Sequence, residues 1–168
     1  MRKGLVWVLV AIGWLFGGCA VHKAAPPAAV HFACDAHILY QDLELKAQLT
    51  RADSGALTLA VTYPATLNDL KMSWNGEDVK VEMYGISFDL DPDSLPVSGL
   101  GRGLLDALDA VAASDNAPTL TEEGATLAGQ GQNGEYTLVT DPDTGHLLSL
   151  SVPAIPLEVT FSNFQETN

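Results

Sequence analysis

From His31 almost to the C-terminus, apolar and polar residues alternate with a period of two, with one interruption. Successive side chains of a strand point to opposite faces, so each alternating segment predicts a β-strand with one buried and one solvated face. The predicted strands are residues 32–40, 43–50, 57–63, 70–74, 79–83, 86–90, 126–130, 135–140, 146–152 and 157–161. The turns between them, such as Asp53-Ser54-Gly55 and Asn75-Gly76, are short, which predicts antiparallel pairing of consecutive strands.

The interruption lies between Pro96 and Ser114, where apolar residues recur at helical spacing. Leu104, Leu105 and Leu108 fall on one stripe of this predicted helix. A single sheet of about ten strands with one apolar face has to curl around that face, and the helix can cover the concave side. The sequence therefore predicts a mainly β (α+β) fold: a curled antiparallel half-barrel with one amphipathic helix in its hollow.

The N-terminus has the pattern of an export signal. Arg2 and Lys3 precede an apolar run over residues 5–16, which is shorter than the roughly 20 residues that a membrane-spanning helix needs. The run ends in Leu15-Phe16-Gly17-Gly18-Cys19, which resembles the lipobox of bacterial lipoproteins, cleaved before an acylated cysteine. An ordinary secretory signal and an uncleaved anchor are the alternatives.

This resemblance implies three segments. Residues 1–18 would be the signal peptide, residues 19–30 the lipidated Cys19 with a Pro-containing tether, and residues 31–165 the folded domain. The protein would be exported and anchored by lipid to the outer face of the cell membrane, or to the outer membrane where the organism has one. The acyl chains would then be its membrane contact.

The charge of the chain limits its partners. Removing residues 1–18 would leave six basic against 21 acidic side chains, a net charge of about −15. Such a surface repels the phosphates of nucleic acids, so we expect no nucleic acid partner.

No motif predicts catalysis, a cofactor or a bound metal. His31 and His37 share a strand face about 20 Å apart, too far for one ion. Asp89, Asp91 and Asp93 resemble the start of a calcium loop, but Ser94 stands where that loop needs glycine. We therefore expect no enzyme and no metal site.

Cys34 and a group of three glycines are interpreted as structural features. Cys34 lies among the apolar residues of its strand and is expected to be a small buried side chain, with an intermolecular disulfide or a reactive thiol as alternatives. Gly99, Gly101 and Gly103 lack the spacing of a phosphate-binding loop and are expected to form a flexible lead-in to the helix, able to act as a hinge.

The order of the elements resembles the LolA/LolB-like superfamily, which includes lipoprotein carriers and RseB-type regulators. Two stretches are similar to sequences of that group: Asp141-Pro142-Asp143-Thr144-Gly145-His146-Leu147-Leu148 to its C-terminal hairpin, and residues 57–76 to small clostridial lipoproteins. The resemblance covers nearly all of residues 31–165. It implies a half-barrel whose apolar hollow accepts acyl chains.

We therefore expect an anchored, non-enzymatic envelope lipoprotein that binds an acyl chain or another apolar ligand. The expected lining residues are Leu59, Val61, Met72, Trp74, Val81, Met83 and Phe88 on the strands and Leu104, Leu105 and Leu108 on the helix. The alternative is an interaction or regulatory module with a filled core, which presents an acidic face or a sheet edge to an envelope protein. A third reading, an envelope hydrolase, has no motif in its favour.

Overall fold

A computed structural model describes residues 24–75, 78–91 and 99–166. The predicted signal peptide, Cys19, Asp93 and Ser94 lie outside these residues. The described part of the chain contains eleven strands and one α-helix: β1 (Phe32–Tyr40), β2 (Leu43–Arg51), β3 (Leu57–Tyr63), β4 (Lys71–Trp74), β5 (Val79–Met83), β6 (Ile86–Leu90), α1 (Leu100–Ala112), β7 (Thr119–Leu120), β8 (Ala125–Gly131), β9 (Gly134–Thr140), β10 (Leu147–Val152) and β11 (Leu157–Glu166). A 3₁₀ turn, Ala65–Leu67, joins β3 to β4.

All eleven strands belong to one antiparallel sheet, in the order β6-β5-β4-β3-β2-β1-β11-β10-β9-β8-β7. Each half is a meander, as the short turns predict. The two halves are joined by pairing of β1 with β11, so that the first and last strands lie at the centre of the sheet. Strands β6 and β7 form its two edges, and the sheet does not close into a barrel.

The sheet curls because its apolar face surrounds α1. Strands on both sides of the centre contribute to one continuous core, and Leu104 and Leu108 of α1 are fully buried within it. The helix meets Trp74 of β4 through Gly101 and Ile155 of the β10–β11 turn through Gly103. Trp74 and Ile155 belong to opposite halves of the sheet, and only a concave sheet can bring both into contact with one helix. The predicted half-barrel fold is therefore confirmed.

Most predicted strands match the observed ones within a few residues, and the short β7 is an additional strand. One predicted orientation is wrong. Strict alternation over residues 57–63 would put Tyr63 on the buried face with Val61, but an irregularity of register places Val61 opposite Ala47 and Tyr63 opposite Lys46. Such a bulge moves a side chain to the other face. Tyr63 is exposed, with the Lys46 ammonium 5.8 Å from its ring centroid.

The segment before β1 also differs from the expected tether. The Ala29 N–H donates to the Gly145 carbonyl at 2.9 Å. A Cβ added to Gly145 would lie 2.3 Å from the Pro27 carbonyl oxygen, so these backbones are in close contact. Ala28 and Val30 pack against the core. Residues 26–30 therefore belong to the folded domain.

Candidate functional site: an apolar face that the helix covers in part

The candidate site is built from cross-strand rows on the concave face of β3 to β6. One row runs through Leu57, Trp74, Val79 and Leu90, which lie opposite one another on consecutive strands. The next row runs through Leu59, Met72, Val81 and Phe88. Met83 and Ile86 pair beyond it, at the β5–β6 turn. Directly opposed residues share a face, so the rows form one apolar surface.

Burial falls along these rows toward the edge strand. Leu57, Trp74 and Val79 are buried, whereas Met72, Val81 and Met83 are half-buried. At the edge, Phe88 is 55% exposed and Ile86 is 58% exposed. We call Met72, Val81, Met83, Ile86 and Phe88 the open wing.

The start of α1 lies on the first row and explains this gradient. A Cβ added to Gly101 would lie 1.8 Å from the Trp74 ring, so the helix backbone rests directly on the indole. Gly103 lets the helix approach Ile155 in the same way. Both glycines are helical and buried, so the expected flexible lead-in is wrong for Gly101 and Gly103. They allow close packing instead.

The expected lining residues therefore divide into groups. Leu59, Val61, Trp74, Leu104 and Leu108 are buried in the core, whereas Met72, Val81, Met83 and Phe88 belong to the open wing. Leu105 is half-buried and borders a depression on the outside of α1, together with Arg102 and Asp109. Ile86 was not among the expected lining residues, although the alternation of β6 places it on the face of Phe88.

Described residues line four surface depressions. All four lie outside the interface between α1 and the sheet. One of them, of about 600 Å³, lies beside the β11 bulge, with Asp35, Gln48, Thr50 and Asn163 in its wall. Another, of about 560 Å³, lies at the β5–β6 turn and includes Met83 and Ile86 of the open wing. This depression is also lined by the charged residues Asp69, Lys71 and Glu82, so only part of its wall is apolar.

Arg51 is a buried cation on the apolar face. It is 3% exposed, lies opposite Phe32 and Leu57, and pairs with Asp109 of α1. It also donates from Nη1 to the Val30 carbonyl at 3.0 Å. Arg51 thus joins the helix, the sheet and the segment before β1. Sequence reasoning overlooked it, although it continues the inward positions of Leu45, Ala47 and Leu49.

The titratable groups of the described residues bear on two kinds of site, a metal site and a reactive thiol. No three His, Cys, Asp or Glu side chains converge in that part of the chain. The Cys34 thiol is buried, and burial together with Asp35 raises its pKa to about 12. A thiol with that pKa stays protonated near neutral pH and is a poor nucleophile.

Within the described residues, no helix has both the length and the apolar character needed to cross a membrane.

Comparison with known proteins shows that this chain shares its fold with a solved structure. No protein-family model and no curated protein matches the chain. Among solved structures, an uncharacterized conserved protein from Thermus thermophilus superposes with a TM-score of 0.50 at 13% identity, over 83% of this chain and 80% of its own. A LolA superfamily protein from Nitrosomonas europaea has a TM-score of 0.45 at 12% identity, over 82% of this chain and 86% of its own. At 13% identity, the Thermus match shows similarity of fold alone.

Proposed function

We propose that the protein is an exported lipoprotein, anchored through Cys19, that binds an acyl chain or another apolar ligand without chemically changing it. The observation that carries this proposal is the open wing. Water contacts Phe88 and Ile86 on a face whose continuation forms the hydrophobic core. An apolar ligand that covers this surface removes it from water, which is the main driving force for such binding.

The packing of α1 supports a site on the wing rather than beneath the helix. Leu104 and Leu108 are fully buried against the sheet, so a ligand beneath α1 would have to displace core side chains. The wing is free of that requirement. Met72 and Met83 suit a ligand of variable shape because unbranched thioether side chains adapt their conformation at low cost.

Binding can be tested with a fatty acid that carries an environment-sensitive dansyl group. The variant Ile86→Ser/Phe88→Ser should bind this probe severalfold more weakly, with a nearly unchanged midpoint of urea unfolding, because both residues are largely exposed. Leu43→Ser/Leu120→Ser is the matched control, since both leucines are exposed outside the wing. Equal binding by both double variants and the native protein would exclude the wing as the site.

Anchoring can be tested separately from ligand binding. A membrane fraction of cells that express the full chain should contain the protein with a mass increased by acyl chains, and the variant Cys19→Ser should lose that mass. An unmodified mass in the membrane fraction would contradict the lipoprotein proposal. Binding of the dansyl probe would still be interpretable in that case.

A second candidate function is a protein-interaction module with a filled core. The tight contact of Gly101 with Trp74 favours it, because a packed interior is what a scaffold needs. Exposed acids such as Asp89, Glu122 and Glu123 would then bind a basic partner, with an affinity that falls as salt rises. Native mass spectrometry of protein from a bacterial membrane fraction separates the two: a bound lipid supports the first function and a stoichiometric protein the second.

A further inference from the structure

The two ends of the sheet differ in their distance from the anchor. One end of the sheet is where residues 26–30 enter the domain. A row of paired residues crosses five neighbouring strands at this end: Phe32, Arg51, Leu57, Trp74 and Val79. We call this the anchor end. Leu147 pairs with Thr140, which places the turn that contains Gly145 at the same end.

The open wing extends toward the opposite end. Tyr40 pairs with Leu43 there, and Met83 pairs with Ile86 at the β5–β6 turn. We call this the far end. Strand β1 has nine residues. At about 3.3 Å per residue it separates the two ends by about 30 Å.

The linker between Cys19 and the domain is shorter than this separation. Pro26 lies 3.5 Å from the position of a Cβ on Gly145, so the chain is held against the domain from there onward. Seven residue steps lead from Cys19 to Pro26, and even a fully extended chain covers at most about 25 Å in that number. A domain turned over, with its far end on the lipid surface, would need a longer linker.

The charge of the anchor end does not favour its direct adhesion to lipid. Its turns carry exposed acids, among them Asp53, Asp78, Glu122 and Asp143. These side chains repel anionic lipid headgroups. Adhesion of these acidic turns to lipid is therefore not expected to orient the domain, whereas the short linker restricts which end can face the lipid surface.

We propose that the anchored domain keeps its anchor end toward the lipid surface and its far end toward the aqueous phase. The wing residues Met83 and Ile86 then open away from the bilayer, so that an apolar ligand reaches them from the aqueous phase. This inference rests on the proposed anchoring at Cys19 and gives the direction from which the proposed ligand reaches the wing.

The orientation can be measured on a chain that begins at Cys19, which contains every described residue. Its Cys19 thiol is coupled to a maleimide lipid in phosphatidylcholine vesicles, in a Cys34→Ala background that leaves one thiol. A fluorophore is attached through p-azidophenylalanine at Asp143 of the anchor end or at Asp42 of the far end, both exposed. Nitroxide headgroups quench only nearby fluorophores, and quenching at position 143 should exceed quenching at position 42 severalfold.

A longer linker is the control. Twenty Gly and Ser residues inserted between Ala20 and Val21 add about 25 Å of average reach and should make quenching at the two positions nearly equal. Equal quenching with the native linker, or stronger quenching at position 42, would overturn the proposed orientation. A difference that survives the insertion would show that adhesion sets the orientation, which also overturns the inference. Because the anchor is chemical, neither failed acylation in cells nor a failure of the wing to bind the dansyl probe affects this result.

Discussion

At the scale of single residues, Gly101 and Gly103 show how the interface between α1 and the sheet is specified. Helix propensity alone would favour alanine over glycine at both positions by about 1 kcal/mol. The close approach of backbone to side chain opposes it. At Gly101 the neighbour is the Trp74 indole, a rigid ring that is buried in the core, whereas at Gly103 it is the terminal methyl of Ile155.

Gly101→Ala should therefore lower the free energy of unfolding by about 1–3 kcal/mol, as expected for an overpacked core. The matched variant Gly103→Ala should change it by less than about 1 kcal/mol, because the Ile155 methyl can move and the gain in helix propensity offsets the strain. Urea unfolding followed by Trp fluorescence measures both. Stabilisation by Gly101→Ala would contradict the close contact with Trp74.

At the scale of elements, alternation predicted nearly every strand, because a strand with one buried face has alternating apolar and polar residues. It could not predict the solvent exposure of Ile86 and Phe88. Both have the correct position on the apolar face, but whether a face is covered depends on where α1 lies, and that depends on distant residues such as Trp74. The orientation of Tyr63 was not predicted because no residue type near Tyr63 marks the position of the bulge.

The β9–β10 turn gives a prediction at this scale, because it holds both the hairpin and the segment before β1. The N–H of Thr144, its hydroxyl and the N–H of Asp143 donate to Asp141 Oδ1, at 2.8, 2.9 and 3.0 Å. These bonds hold the pKa of the Asp141 carboxyl below its ordinary value. The carboxylate therefore contributes stability above its unfolded-state pKa, and this contribution is lost as the pH falls through the lower folded-state pKa.

Asp141→Asn keeps an acceptor oxygen but not the charge, so it should be less stable than the native protein at about pH 5 and approach it at about pH 2.5. Urea midpoints at the two pH values measure the change. The loosened turn should also raise the rate of hydrogen exchange at the Ala29 amide, which bonds to Gly145. Asp143→Asn is the control in the same turn. A pH-independent difference between Asp141→Asn and the native protein would contradict the role of the charge.

At the scale of the whole molecule, the sequence predicted the sheet and its helix but not its centre. Short turns specify which consecutive strands pair, whereas the pairing of β1 with β11 joins residues more than a hundred positions apart and leaves no local signal. The candidate site inherits the same limit. Knowing that β6 is an edge, and that the wing is therefore open, requires the complete strand order.

This strand order predicts a gradient of local stability from the centre to both edges. Strands β1 and β11 have a neighbour on each side and carry fully buried side chains such as Phe32, Ile38 and Leu157. Strand β6 has one neighbour and exposes Ile86 and Phe88. Native-state hydrogen exchange should therefore be slowest in β1 and β11, where opening requires global unfolding, and fastest in β6 and β7. The dansyl fatty acid should slow exchange in β5 and β6 and leave β7 unchanged, because only the wing would be covered. Protection of β6 equal to that of β1 without any ligand would contradict an open wing, since it would mean that another part of the molecule already covers this edge.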